Sequence, residues 1–136
     1  MVDGEDLTFV AKAQGATRGL RYDPDMGLSV ALSCSAAGIA WLSTMSDDEA
    51  MTLVAKKGLG KPEDFGPKAP TSIKGVMTLV KASRQQGFSM IVDVFGPGMS
   101  SMAAPVLDFQ GRAIGVVTIA GPSVRLNAAR MEALGP

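Results

Sequence analysis

Hydrophobic and polar positions alternate from Leu7 to Ala13, with Leu7, Phe9, Ala11 and Ala13 on one face and Thr8, Val10 and Lys12 on the other. That period of two predicts a half-buried strand, ended by Gly15. A second short segment follows near Leu20–Tyr22, and Asp23-Pro24-Asp25 with Gly27 punctuates a loop. Leu28–Cys34 alternates again, Leu28, Val30, Leu32 and Cys34 against Ser29, Ala31 and Ser33, and predicts a third strand whose second face is small and weakly polar.

The period then changes to that of helices. Ser35 is placed to cap a helix over Ala36–Met45. Ser46-Asp47-Asp48-Glu49 is a capping box, and Ala50, Met51, Val54 and Ala55 form the inward stripe of the helix it opens. From Gly58 to Pro70, Gly, Pro and scattered charges predict an irregular surface connection. Ser72 caps a third helix to Gln86, with Ile73, Val76, Met77 and Val80 at helical spacing and Gly87 placed to end it.

Phe88–Val94 reads as a strand. Two apolar runs, Ser101–Leu107 and Arg112–Ala120, then flank Asp108-Phe109-Gln110-Gly111, in which Asp starts a turn and Gly closes it with positive φ. Gly121-Pro122 and a last helix capped by Asn127 complete the chain. The order β, β, β, α, α, α, β, β, β, α predicts an α+β fold: one mainly antiparallel sheet with helices packed on it.

Composition narrows the chemistry. The 136 residues suit one domain with a single core, and apolar residues make up 46% with aromatics only 5%, so aliphatics and nine Met must fill it. Thirteen basic and thirteen acidic side chains cancel, and no basic cluster stands ready to release counterions from a nucleic-acid backbone. Histidine is absent, which removes Ser-His-Asp and Cys-His catalysis and His-based zinc sites. The single Cys34 rules out an internal disulfide, lacks a nearby cation to activate it, and shares parity with Leu28, Val30 and Leu32, so a buried inert thiol is expected. Trp41, at helical spacing from Ala37, is expected in the core. No signal peptide or membrane-length apolar run is present, which leads to a soluble cytoplasmic protein with no cofactor, no metal and no membrane partner as the expectation.

The run from Gly96 to Leu126, with Met-Ala-Ala-Pro-Val-Leu-Asp-Phe-Gln-Gly, a strand, and then Ala-Gly-Pro-Ser-Val-Arg-Leu, resembles the C-terminal effector-binding domain of the IclR family of transcriptional regulators. The resemblance implies a GAF-like or PAS-like fold. It also implies an N-terminal winged helix-turn-helix and one further strand that these residues do not contain, so the sequence is expected to be an effector domain shortened at both ends. Leu7–Ala13 would then be open to pairing with another molecule.

Two regions are candidate ligand contacts. At Ser33-Cys34-Ser35-Ala36-Ala37-Gly38 a strand runs into a helix start, where free amides favour a carboxylate and small side chains let it approach. Ordinary capping and tight packing would use the same residues. Carried over by the resemblance, the effector contacts fall on Ala36, Ala37, Ile91, Met99, Ser101, Thr118 and Ala120. The departure from the family pattern is at Ile91, where relatives often have a carboxylate; Asp93, two residues on, is the nearest acid. An apolar wall at Ile91 points to an acid with an apolar or aromatic body, since an unpaired buried polar group costs ~1–3 kcal/mol.

The leading expectation is a non-catalytic sensor of a small organic acid. It would act in a homodimer or tetramer and reach DNA only through the missing N-terminal domain, with no nucleic-acid contact of its own. A ligand-free dimerisation scaffold, its pocket filled by Met99 and Ile91, is the alternative. A small enzyme using Asp93, Glu63 or Ser101 is a third reading, opposed by the lack of histidine and of paired-carboxylate or nucleophile-elbow motifs.

Overall fold

Four caps and one glycine place the helices. In the computed structural model, which describes residues 1–13, 30–61 and 63–135, Ser35, Ser46, Ser72 and Asn127 each accept the amide of the third helical residue with their side chains. The helices run Ala36–Leu42 (α1), Asp47–Lys57 (α2), Ile73–Gln86 (α3) and Ala128–Leu134 (α4). Gly87 stops α3 in the left-handed region at φ 87°. α1 ends three residues sooner than expected because the Ser43 and Thr44 hydroxyls donate to the Ala40 and Trp41 carbonyls, competing with the continuing helix. Along α2 the inward stripe is Ala50, Leu53 and Val54; Met51 is half-buried and Ala55 is exposed.

The strands are Val2–Asp3 (β1), Asp6–Leu7 (β2), Ser89–Val92 (β3), Met99–Leu107 (β4) and Ala113–Pro122 (β5). β3, β4 and β5 form an antiparallel sheet in that order, while β1 and β2 make a separate hairpin. The β4–β5 turn closes as its residues dictate: Gly111 has φ 79° and donates to the Asp108 carbonyl, and the Asp108 carboxylate accepts the Gln110 and Arg112 amides.

Two expected strands do not form. Leu7–Ala13 pairs only at its start: among the described residues none bonds the backbone of residues 9–11 or 13 as a ladder, and Val10–Ala13 are exposed. In the predicted strand Leu28–Cys34, Leu28 and Ser29 lie outside the described residues, as do the predicted segment Leu20–Tyr22 and its loop. Val30–Cys34 is not a strand. Residues 32–34 are buried on both parities, and side chains replace the ladder: Ser33 Oγ accepts from the Gly60 amide and Ser35 Oγ donates to the Ala31 carbonyl.

One face of the sheet carries α1, with α3 and α2 stacked beyond it. Leu42, Val54, Val76 and Val80 form the main core there, with Trp41 buried in it as expected. Cys34, Ala36, Ile91 and Ala103 form a second cluster directly under α1. On the opposite face Met131 of α4 and Leu126 before it pack against Phe88 and Met102, while Val117 and Ile119 of β5 stay exposed. Fully burying an aliphatic side chain contributes ~1.5–3 kcal/mol, so these clusters dominate the stability of the fold.

Candidate functional site

Register brings the candidate residues into rows. Ser101 on β4 stands opposite Ile91 on β3 and Ala120 on β5, and Ala103 stands opposite Ser89 and Thr118. Alternate residues of a strand share a face, so Ser101, Thr118 and Ala120 look the same way, toward α1. Gly38 allows α1 to settle close to the chain before it, since a Cβ there would lie 2.3 Å from the Leu32 carbonyl oxygen. Ser89 fixes the helix start over the strands by donating its hydroxyl to the Ala36 carbonyl at 2.7 Å.

Between these elements is a hollow of about 20 Å³, lined by Ala36, Ala37, Ser101, Thr118 and Ala120 together with Phe9, Ser35 and Phe95. A space of that size holds roughly one water. Phe9 and Phe95 form part of its wall. The Phe95 ring packs on Phe65 at a centroid distance of 6.0 Å.

The polar groups around the hollow differ in their engagement. Thr118 donates its hydroxyl to the Met102 carbonyl at 3.0 Å. Ser35 Oγ donates to Ala31 and accepts from Gly38. Ser101 is 8% exposed and lines the hollow; the fully buried hydroxyl without a partner among the described residues is that of Ser83 on α3. The Ala36 and Ala37 amides, which precede the first intrahelical bond at Ile39, have no backbone partner among them either.

Of the eight residues singled out in the sequence, five surround the hollow and three do not. Ile91 is buried behind it, packed with Cys34, Ala36 and Ala103. Asp93 has left the strand at φ 57°, and its carboxylate accepts the Gly98 amide at 2.7 Å, which makes it a turn residue. Met99 lies one row further along β4, opposite Pro122, with its side chain against Gly96. Sequence reasoning missed Phe9 and Phe95 as lining residues. Phe9 shares parity with the buried Leu7, so the alternation already carried that signal.

Cys34 is buried as expected, though in a non-strand segment whose residues 32–34 are buried on both parities. Burial pushes its thiol up to about 11 from the usual 9.0, against a smaller opposing effect of a Ser33 hydrogen bond. Among the described residues no cluster of His, Cys, Asp or Glu is placed to hold a metal ion, and no helix is long and apolar enough to cross a membrane.

A model of the bacterial transcriptional regulator IclR C-terminal domain matches residues 1–136. The chain is 24% identical over 116 residues to the HTH-type transcriptional repressor AllR of Escherichia coli strain K12, covering 85% of this chain and 42% of that protein. It therefore spans less than half the length of that repressor. Its fold is similar to the crystal structure of Thermotoga maritima IclR, with a TM-score of 0.82 at 17% identity, over 97% of this chain and 52% of the other. It is also similar to the inducer-binding domain of the PobR transcription factor from Acinetobacter, a double mutant in complex with 3-hydroxybenzoic acid. There the TM-score is 0.79 at 19% identity, over 98% of this chain and 76% of the other.

Proposed function

Since this chain belongs to the family of bacterial transcriptional regulator IclR C-terminal domains, we propose that it is the sensing part of such a regulator and takes a small carboxylate with an apolar or aromatic body. The observation that carries this reading is that Ser101, Thr118 and Ala120 of the sheet and Ala36 and Ala37 of α1 converge on one hollow. A ligand oxygen at that point would gain a hydrogen bond from the Ser101 hydroxyl, worth ~1 kcal/mol. The free amides of Ala36 and Ala37 lie across the hollow for the carboxylate, and Thr118 and Ala120 flank it. Ile91, behind this wall, keeps the surroundings apolar.

At about 20 Å³ the hollow admits no organic acid as it stands. Phe9 and Phe95 are the gate: neither belongs to a helix or a strand, and the ring of either must swing out for a ligand to enter. Entry then favours one arrangement of helices and partner subunit over another. In a full regulator, a cytoplasmic homodimer or tetramer, that preference would alter the spacing of DNA-reading domains outside residues 1–136. Only a difference in affinity between the two arrangements produces such coupling.

The 3-hydroxybenzoic acid bound by the PobR domain is an acid of the proposed class and serves as a first probe, with glyoxylate as the small polar contrast. Calorimetric titration of the 136-residue chain is expected to show binding of the aromatic acid in preference to glyoxylate. Ser101→Ala is expected to weaken that binding about fivefold, the value of one hydrogen bond of ~1 kcal/mol. Binding by polar acids alone, or affinity untouched by Ser101→Ala, overturns the reading. The smallness of the hollow favours a second reading, a ligand-free dimerisation scaffold, which predicts concentration-dependent dimers and no acid that binds.

A further inference from the structure

We infer that Phe65, which does not line the hollow, is a positioning residue for it: its ring backs the Phe95 ring, so the gate opens only when the connection between α2 and α3 gives way. The inference rests on the reading of Phe95 as part of the gate and assigns what holds that gate shut. Opening is thereby tied to α2 and α3, which contribute no residue to the hollow.

The connection is fastened to the two segments that lead into the hollow. The Gly60 amide donates to Ser33 Oγ at 3.2 Å, two residues ahead of the Ser35 cap. The Gly66 amide donates to the Val94 carbonyl at 2.9 Å and the Lys68 amide to the Asp93 carbonyl at 2.8 Å, immediately before Phe95. Gly66 is required for this approach, since a Cβ there would fall on the Asp93 carbonyl. Buried and bonded to Val94, Gly66 delivers its neighbour Phe65 to Phe95, with the ring centroids 6.0 Å apart and the planes tilted by 59°. Tilted rings at that separation attract, because the edge of one meets the face of the other.

The Phe65 ring is itself confined. A Cβ on Gly60 would stand 2.7 Å from a Phe65 ring carbon and 2.7 Å from the Cys34 Sγ, so the ring cannot retreat toward Gly60. Phe65 and Phe95 both pack on the buried cluster of Cys34, Ala36, Ile91 and Val94, and Ala36 is a wall of the hollow. Close-packed groups of this kind transmit a displacement rather than absorb it. A swing of Phe95 past Phe65 therefore strains the Gly60, Gly66 and Lys68 bonds, and through them a connection that runs from Gly58 at the end of α2 to Ser72 at the cap of α3. Conversely, a shift of these helices loosens the backing of Phe95 without touching the hollow.

With only five phenylalanines in the chain, fluorine NMR of protein labelled with para-fluorophenylalanine resolves each ring. The Phe95 and Phe88 signals are assigned by their loss in Phe95→Leu and Phe88→Leu. In the 136-residue chain without ligand, Phe65→Ala is expected to raise the relaxation of the Phe95 signal by a dissolved nitroxide about two- to tenfold, the factor that an aromatic pair is worth. Phe65→Tyr, which keeps the ring, is expected to restore the parent value, and the Phe88 signal, from a separate buried cluster, to stay unchanged. Gly66→Ala, which leaves both rings in place and unfastens the connection, is expected to reproduce Phe65→Ala. An unchanged Phe95 signal in Phe65→Ala, Phe65→Tyr behaving like Phe65→Ala, a Gly66→Ala spectrum like the parent's, or an equal change at Phe88 overturns the assignment. No acid is present in the measurement, so this assignment and the proposed sensing function fail separately.

Discussion

The Ser89 hydroxyl donates to the Ala36 carbonyl at 2.7 Å, so the first residue of α1 is tied directly to β3. The same oxygen lies 3.4 Å from the Ala103 carbonyl, and Ser89 is 1% exposed. One buried hydroxyl thereby sets the height of the helix start above the row of Ala103 and Thr118. Ser89→Ala is expected to destabilise the fold by about 1–2 kcal/mol, the loss of one buried hydrogen bond with an acceptor left short. Urea unfolding should show a lowered midpoint with an unchanged slope.

Gly38 is required for clearance rather than for backbone freedom. A methyl group there would fall 2.3 Å from the Leu32 oxygen and 2.5 Å from the Leu32 Cα, both backbone atoms that cannot step aside. Gly38→Ala is expected to cost at least about 2 kcal/mol despite its better helix propensity, since overpacking a tight contact costs ~1–3 kcal/mol. Thermal unfolding measures this. A stabilised variant would show that α1 lifts away from Leu32 without loss.

Cys34 predicts a pH dependence. Its folded-state value of about 11 lies above the ordinary 9.0 because burial penalises the thiolate. The unfolded chain therefore releases the proton first. The contribution from this group is fully present below pH 9 and is lost as pH rises through 11, by roughly 2–3 kcal/mol at the limit. A Cys34→Ala variant should show a shallower fall in stability between pH 9 and 11 than the parent. At pH 8 a thiol reagent should label Cys34 only in the unfolded protein.

Arg84 on α3 reaches across to the turn after α1, donating to the Ser43 and Met45 carbonyls and pairing with Asp47. The Arg84 hydrogen bond holds the Asp47 carboxyl below its usual 3.8. That stabilisation is present above pH 3.8 and is lost as pH falls through the lowered value. Arg84→Met should abolish this acid-side dependence and speed hydrogen exchange in residues 43–46, while raised salt should shrink the difference.

Widening the gate should speed entry. Phe95→Ala removes one of the two rings in the wall of the hollow, and stopped-flow mixing with 3-hydroxybenzoate is expected to show faster association than in the parent chain. An unchanged rate would mean that ligand passes by way of Phe9 alone.

The helices were legible because their signals are local. Ser46 caps α2 by accepting the Glu49 amide, with the Glu49 carboxylate meeting its hydroxyl rather than its amide, and Gly87 ends α3 where it was placed. The β4–β5 hairpin was legible for the same reason, since Asp108 and Gly111 close it within four residues. The N-terminal strands were not, because alternation states which side chains turn inward and says nothing of whether a neighbour is present to bond the backbone. Leu7 and Phe9 do point inward, yet only Leu7 lies in a ladder. The family pattern placed Ser101, Thr118 and Ala120 together, and the register agrees with it. It also carried contacts onto Ile91 and Met99, with Asp93 as the nearest acid to the departure at Ile91. Met99 opens β4 and accepts the Asp93 amide, while the Asp93 carboxylate accepts the Gly98 amide, so both close the link between β3 and β4.

Phe95 both borders the hollow beneath α1 and meets Phe65 of the connection between α2 and α3. A single aromatic side chain is thus a shared door between an inner room and an outer strap. Whatever turns it on its hinge is felt by both at once, and no longer relay of intervening residues is needed for crosstalk between them.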